Sequence, residues 1–131
     1  MRTIPKYHNM TSNRKAVNQF LTQLKDVIDD PNFSVEENLF LIGRPENKAT
    51  LIDLDYDSDD VVKILSELNI ENYSETLFDE DNDNPPLLFA FGKEISKKEI
   101  YIKIKVRMNP ERKIVCVSFH WAQHTMLYPY K

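Results

Sequence analysis

The eight residues Ile100-Tyr101-Ile102-Lys103-Ile104-Lys105-Val106-Arg107 alternate without a break between an aliphatic side chain and a polar or aromatic one. A period of two belongs to a strand with one buried and one open face, and no helix sorts residues that way. Ile100, Ile102, Ile104 and Val106 are therefore expected on a core face, with Tyr101, Lys103, Lys105 and Arg107 in a row on the other. The flanking segments extend this into a meander over residues 87–120. Leu87-Leu88-Phe89-Ala90-Phe91 reads as a preceding strand that Gly92 breaks. Ile114-Val115-Cys116-Val117-Ser118-Phe119-His120 reads as a following one, reached through the turn Asn109-Pro110-Glu111-Arg112. Short connections make such neighbours antiparallel.

Upstream the period changes. Val17, Phe20, Leu21, Leu24, Val27 and Ile28 recur at helical spacing behind the cap candidates Thr11-Ser12-Asn13, and Asp29-Asp30-Pro31 stops the pattern. This predicts a first helix within residues 11–30. Leu39-Phe40-Leu41-Ile42 is a short extended run ended by Gly43, and residues 48–54 form a short helix with Leu51 and Leu54 inward. Asp57-Ser58 caps a further helix over residues 57–68, whose apolar positions are Val61, Val62, Ile64, Leu65 and Leu68. Residues 69–86, rich in Asn, Asp and Pro, read as a long connection. Asp79, Asp81 and Asp83 imitate a calcium loop there, but Asn84 and Ala90 stand where that loop needs Gly and Glu. Residues 121–131 are an aromatic tail expected to fold back on the rest.

Helices first and neighbouring strands after them define an α+β chain. The expectation is one domain over residues 1–131, with N-terminal helices packed on a C-terminal antiparallel sheet of about three strands. Composition narrows its chemistry. With 2 Gly in the chain there is no glycine-rich phosphate cradle, which disfavours nucleotide-binding α/β folds. Cys116 is the only cysteine, so neither a disulfide framework nor a cysteine-based zinc site can be built. His120 and His124 stand four apart, but no helix, carboxylate or cysteine nearby completes a metal site, and no cofactor is expected. The apolar runs fall short of a membrane span, and the first residues lack the apolar stretch of a signal peptide; a cytoplasmic location without membrane contact is the expectation.

Charge is segregated. Residues 1–91 carry 8 Lys/Arg against 18 Asp/Glu, a net of −10, and residues 92–131 carry 9 against 3, a net of +6, which together give the overall −4. A chain polarised in this way can offer a basic face to an anion while its acidic part stays in solvent or meets a basic partner.

The basic face carries the most chemistry. His120 ends the last strand and should lie near the start of the preceding one, beside Tyr101, provided that the register does not slip by one residue. An imidazole, a phenol and several cations on one surface suit cleavage of RNA without a metal. The substrate's own 2′-hydroxyl attacks phosphorus; imidazole, with an unperturbed pKa near ~6.5, can move the protons. Lys and Arg stabilise charge developing on the phosphate. Tyr101, His120 and Lys103 are the candidate catalytic residues. Lys93, Lys105, Arg107 and Tyr128 are the candidate contacts to the nucleic acid, where aromatic rings can stack on unpaired bases. A row of lysines on an exposed strand is also a common device against edge pairing, so the residue pattern equally admits a solvated sheet face.

The order of these elements resembles the MqsR family of messenger-RNA-cleaving toxins, which have a RelE-like α+β fold. The segments that carry the resemblance run from Arg44 onward. They are Arg44-Pro45-Glu46-Asn47-Lys48-Ala49-Thr50-Leu51, Leu54-Asp55-Tyr56-Asp57, Leu65-Ser66-Glu67-Leu68, Glu71-Asn72-Tyr73, Glu99-Ile100-Tyr101-Ile102-Lys103-Ile104 and Val115-Cys116-Val117-Ser118-Phe119. Phe119-His120 with the Tyr128-Pro129-Tyr130 tail looks like a longer Gram-positive-type branch. The resemblance implies an endoribonuclease acting on single-stranded RNA and neutralised by a cognate antitoxin protein. It places the family's functional tyrosine at Tyr101 and its functional lysine at His120; a second family lysine falls near Ser74, where this chain has no cation. Two other readings stand beside it: an interaction module on the same fold without catalysis, and an RNA-binding protein that does not cleave.

Overall fold

The computed structural model describes residues 9–78 and 87–131. Asn13 opens the first helix, α1 (Arg14–Asp29), by accepting a hydrogen bond from the Ala16 amide at 2.9 Å. Its buried stripe is Val17, Phe20, Leu21, Leu24 and Val27, and it ends one residue before the Asp30-Pro31 step. A four-residue turn of helix, α2 (Val35–Asn38), leads into β2 (Leu39–Leu41). α3 (Pro45–Leu54) starts on a proline that needs no hydrogen bond there. α4 (Ser58–Ser66) is opened by a reciprocal capping box between Asp57 and Asp60 and turns Val61, Ile64 and Leu65 inward.

Among the described residues the sheet has six strands in the order β1-β3-β4-β5-β6-β2, where β1 is Asn9–Met10, β3 Tyr73–Phe78, β4 Leu87–Ile95, β5 Lys98–Arg107 and β6 Lys113–Trp121. The α+β class holds, but the sheet is larger than the three expected strands and is not wholly antiparallel, since β2 runs parallel to β6. The expected meander over residues 87–120 is its centre, β4-β5-β6, paired antiparallel. Gly92 does not break β4, which continues to Ile95. Residues 69–86 are not one long connection: a 3-10 turn (Ile70–Asn72) and β3 occupy the first part. The calcium-like residues 79–84 lie outside the described residues.

One face of the sheet carries the core. Ile100, Ile102 and Ile104 are fully buried against Phe89 and Phe91, Phe119, and the apolar stripes of α1 and α4. Phe20 stacks on Phe89 with ring centroids 4.2 Å apart. Among the described residues, no helix is long and apolar enough to cross a membrane.

Two bulges interrupt the alternation, and both decide which side chains share a face. In β6, Cys116 opposes Ile104 while Ser118 opposes Lys103, so Val117 is the extra residue. The core-facing set of β6 is therefore Ile114, Cys116, Phe119 and Trp121, with one step of three. In β3 the register shifts between Tyr73 and Glu75, with Tyr73 and Thr76 on the core side, opposite Phe91 and Phe89.

The outer edge of β6 is closed in two ways. β2 pairs with its first half, from Ile114 to Cys116. Beyond that point the α3 side chains take over. The amide of Asn47, itself buried, donates to Val117 O at 3.1 Å and Ile42 O at 2.9 Å and accepts from Phe119 N at 2.9 Å. Thr50 Oγ1 accepts from Trp121 N at 3.2 Å. Asn47 thus holds the peptide groups on either side of Ser118, next to the bulged Val117. Asn47→Ala leaves a buried carbonyl and a buried amide without partners, and is expected to cost about 3 kcal/mol in urea unfolding. Faster hydrogen exchange at Phe119 should accompany it. An unchanged midpoint would show that the bulge is held by other means.

Candidate functional site

The sheet face opposite α1 and α4 is the one on which the polar row of β5 lies. Its residues fall into cross-strand rows set by the register. Gly92, Tyr101 and His120 form one row, and Glu75, Ala90, Lys103 and Ser118 the next. Had β6 kept strict alternation from Ile114 and Cys116, His120 would have shared their core face; the Val117 bulge turns it to the open face instead. The Tyr101 and His120 rings stack with centroids 5.6 Å apart.

These rows floor a cleft of about 810 Å³. Tyr101, Lys103 and His120 line it together with Tyr128. Ionisable side chains outside the candidate site set also line it: Arg44 from the start of α3, Glu75 from β3 and His124 from the tail. None of them is signalled by the local pattern. Arg44 arrives because Asn47 fastens α3 to β6, Glu75 because the β3 bulge turns it outward, and His124 because the tail returns across the sheet.

The expected nucleic-acid contacts divide. Lys105 and Arg107 continue the row of Lys103 along β5, opposite Val115 and Lys113, in steps of about 7 Å away from the cleft. Lys93 does not join them. It opposes the buried Ile100, on the face that carries the helices, and its ammonium lies 3.6 Å from Glu67.

The tail forms one wall. Ala122 N donates to Glu99 O at 2.8 Å as the chain leaves β6, and Ser74 Oγ donates to Leu127 O at 2.7 Å. Tyr128 lies over Gly92 and donates to a Glu99 carboxylate oxygen. Tyr130 stacks on Tyr73 at 5.9 Å, donates to Ser12 O at 2.7 Å and receives the Arg14 guanidinium 4.7 Å above its ring. Gly92 is required by this packing: a Cβ there would stand 2.8 Å from Tyr128 Cζ and 2.9 Å from Met126 Sδ.

The protonation states have physical causes. Burial, reinforced by the negative charge of Glu75, pushes the Tyr101 phenol up to about 12. It stays neutral at ordinary pH and is a hydrogen-bond donor rather than a base. Burial, then the bond to Glu99 and the charges of Glu99 and Glu94, raise Tyr128 further. His120 Nδ1 lies 2.9 Å from Trp121 O. A carbonyl can only accept, so Nδ1 carries a proton and the neutral ring keeps its lone pair on Nε2. Among the described residues no group of three His, Cys, Asp or Glu side chains is arranged to hold a metal ion.

The tail packing can be tested by a double-mutant cycle. Gly92→Ala is expected to destabilise by about 1–3 kcal/mol, the usual cost of overpacking. Much of that loss should vanish when Gly92→Ala is made in a Tyr128→Ala background. Additive losses would mean that Tyr128 does not sit on Gly92 in solution. Comparisons of the chain with models of protein families, with curated proteins and with solved structures find no match.

Proposed function

We propose that the protein is a metal-independent endoribonuclease of toxin type that cleaves single-stranded RNA. The observation that carries the reading is the convergence of Tyr101, His120 and Lys103 with Arg44 and His124 in one cleft. The His120 Nε2 lone pair takes the proton of the 2′-hydroxyl, while the Trp121 carbonyl fixes the ring by its bond to Nδ1. Lys103 and Arg44 supply positive charge to the phosphate as negative charge builds on its oxygens. Tyr101, a neutral phenol, donates a hydrogen bond to the same group. His124 is the second imidazole lining the cleft and the group assigned to protonate the leaving 5′-oxygen. Lys105 and Arg107 extend the cationic row and follow the sugar–phosphate backbone out of the site.

The products of this chemistry are a 2′,3′-cyclic phosphate and a 5′-hydroxyl. Purified protein should cut a single-stranded RNA in the presence of a chelator and leave its 2′-deoxy counterpart intact. His120→Ala is expected to lower the rate by roughly 10²-fold or more, the scale of lost acid–base help. His124→Ala should lower it separately. Intact RNA, or equal rates in wild type and His120→Ala, would sink the proposal; saturable RNA binding without cleavage would make the protein an RNA-binding module.

A neutralising antitoxin protein belongs to the same reading. The acidic N-terminal part, net −10 over residues 1–91, suits a basic docking surface on such a partner. Co-purification with a neighbouring gene product at low salt, and its loss at high salt, is the expected result. Retention that ignores salt would argue for an apolar contact instead.

A further inference from the structure

Ser118 is 1% exposed and lies in the wall of the cleft, yet its Oγ has no hydrogen-bond partner among the described residues. Buried side-chain hydroxyls nearly always find a partner, so an orphan in a cleft wall calls for a physical reason. The bulge supplies part of it. Regular alternation would place Ser118 on the core face with Ile114 and Cys116, whereas Val117 as the extra residue turns it beside Lys103. Asn47 fixes it there from both sides, through Val117 O and Phe119 N.

Arg44 stands at the same end of the cleft. Ile42 N donates to Cys116 O at 3.0 Å, Arg44 N donates to Ile42 O at 3.0 Å, and both Arg44 and Ser118 line the cavity. Arg44 is the N-cap residue of α3 and makes no side-chain cap bond. Arg44, Lys103 and Ser118 therefore line the β5–β6 side of the same cavity, a guanidinium, an ammonium and a hydroxyl. Glu75, the carboxylate in this row, is on β3, three strand spacings or about 14 Å from Ser118. Lys103 stands next to Ser118 in this row, and Ala90 separates it from Glu75.

We propose that Arg44, Lys103 and Ser118 form an oxyanion subsite that seats a single phosphate group at the β6 end of the cleft. Arg44 provides a planar fork suited to two phosphate oxygens, and Lys103 a point charge on a flexible chain. The buried Ser118 hydroxyl, once a side-chain shift uncovers it, donates to a third oxygen. The subsite deepens the ribonuclease reading by naming where the substrate phosphate is held, next to His120 in the adjoining row.

The test uses the whole chain and inorganic phosphate as the probe, followed by amide NMR shifts at constant ionic strength with chloride as the control. Saturable shifts at Ser118, Phe119 and Arg44, absent with chloride, are expected. Arg44→Gln should weaken phosphate binding about tenfold and Ser118→Ala about fivefold, the scale of one charged and one neutral hydrogen bond. Ser118→Ala should leave the melting temperature unchanged or higher, because it removes an orphaned group; that separates lost binding from lost folding. Shifts that fail to saturate, that chloride reproduces, or that persist in both variants would overturn the subsite. Cleavage of RNA by a protein that binds no phosphate would also overturn it, leaving the ribonuclease reading in place. Saturable phosphate binding by a protein that leaves RNA intact would support the subsite and remove that reading.

Discussion

The amide of Asn47 is the contact on which the site depends. It meets β6 where β2 has stopped pairing and α3 has taken over the edge, and it binds the two peptide groups that flank Ser118. Buried peptide groups at a bulge lack ladder partners, and a polar side chain from a rigid helix is an economical replacement. Through those bonds Asn47 holds the extra residue Val117 in place. The bulge then reverses the facing of everything after it, so that Phe119 and Trp121 enter the core and His120 enters the cleft. The same contact brings the start of α3, and with it Arg44, to the cleft rim.

The opposite wall rests on a second close fit. Tyr128 occupies the space above Gly92, and Tyr130 is stacked on Tyr73 at the far side. The tail is tied to two strands, to β5 by Ala122 and Tyr128 through Glu99 and to β3 by Leu127 through Ser74, while Tyr130 reaches back to Ser12 ahead of α1. Trp121 adds a bond from its indole to Asp53 on α3, at 3.1 Å. The cleft is thus bounded by elements remote in sequence, which is how a half-open sheet face becomes a concavity.

Electrostatics within the cleft follow from this arrangement. Burial and, after it, the charge of Glu75 raise the Tyr101 phenol; Glu75 lies across Ala90 from Lys103, while Arg44 and Lys103 lie towards β6. A phenol held neutral, an imidazole with one nitrogen tied to a carbonyl and the cations Lys103 and Arg44 thus line one cleft. Lys93 shows the converse. One position of parity puts it on the helix face beside Glu67, although its sequence distance from Tyr101 is short.

Much of the architecture is legible in the chain itself. The helical stripe behind Asn13, the capping Asp57, and above all the alternation from Ile100 to Arg107 specify α1, α4 and β5, because burying one face of a helix or strand requires those periods. β3 was not legible, since its core positions Tyr73 and Thr76 are three apart and conceal the strand period, although Tyr, Thr and Phe favour strands. The edge strands β1 and β2, of two and three residues, are too short to carry a period. The sequence by itself determined which residues bear the charge, the imidazoles and the phenols, and that Tyr101, Lys103, Lys105 and Arg107 share a face. Only the tertiary structure decided that His120, Ser118 and Glu75 join that face. Strand parity downstream of a bulge depends on hydrogen bonds from Asn47 and neighbouring strands, and no local pattern of residues encodes those.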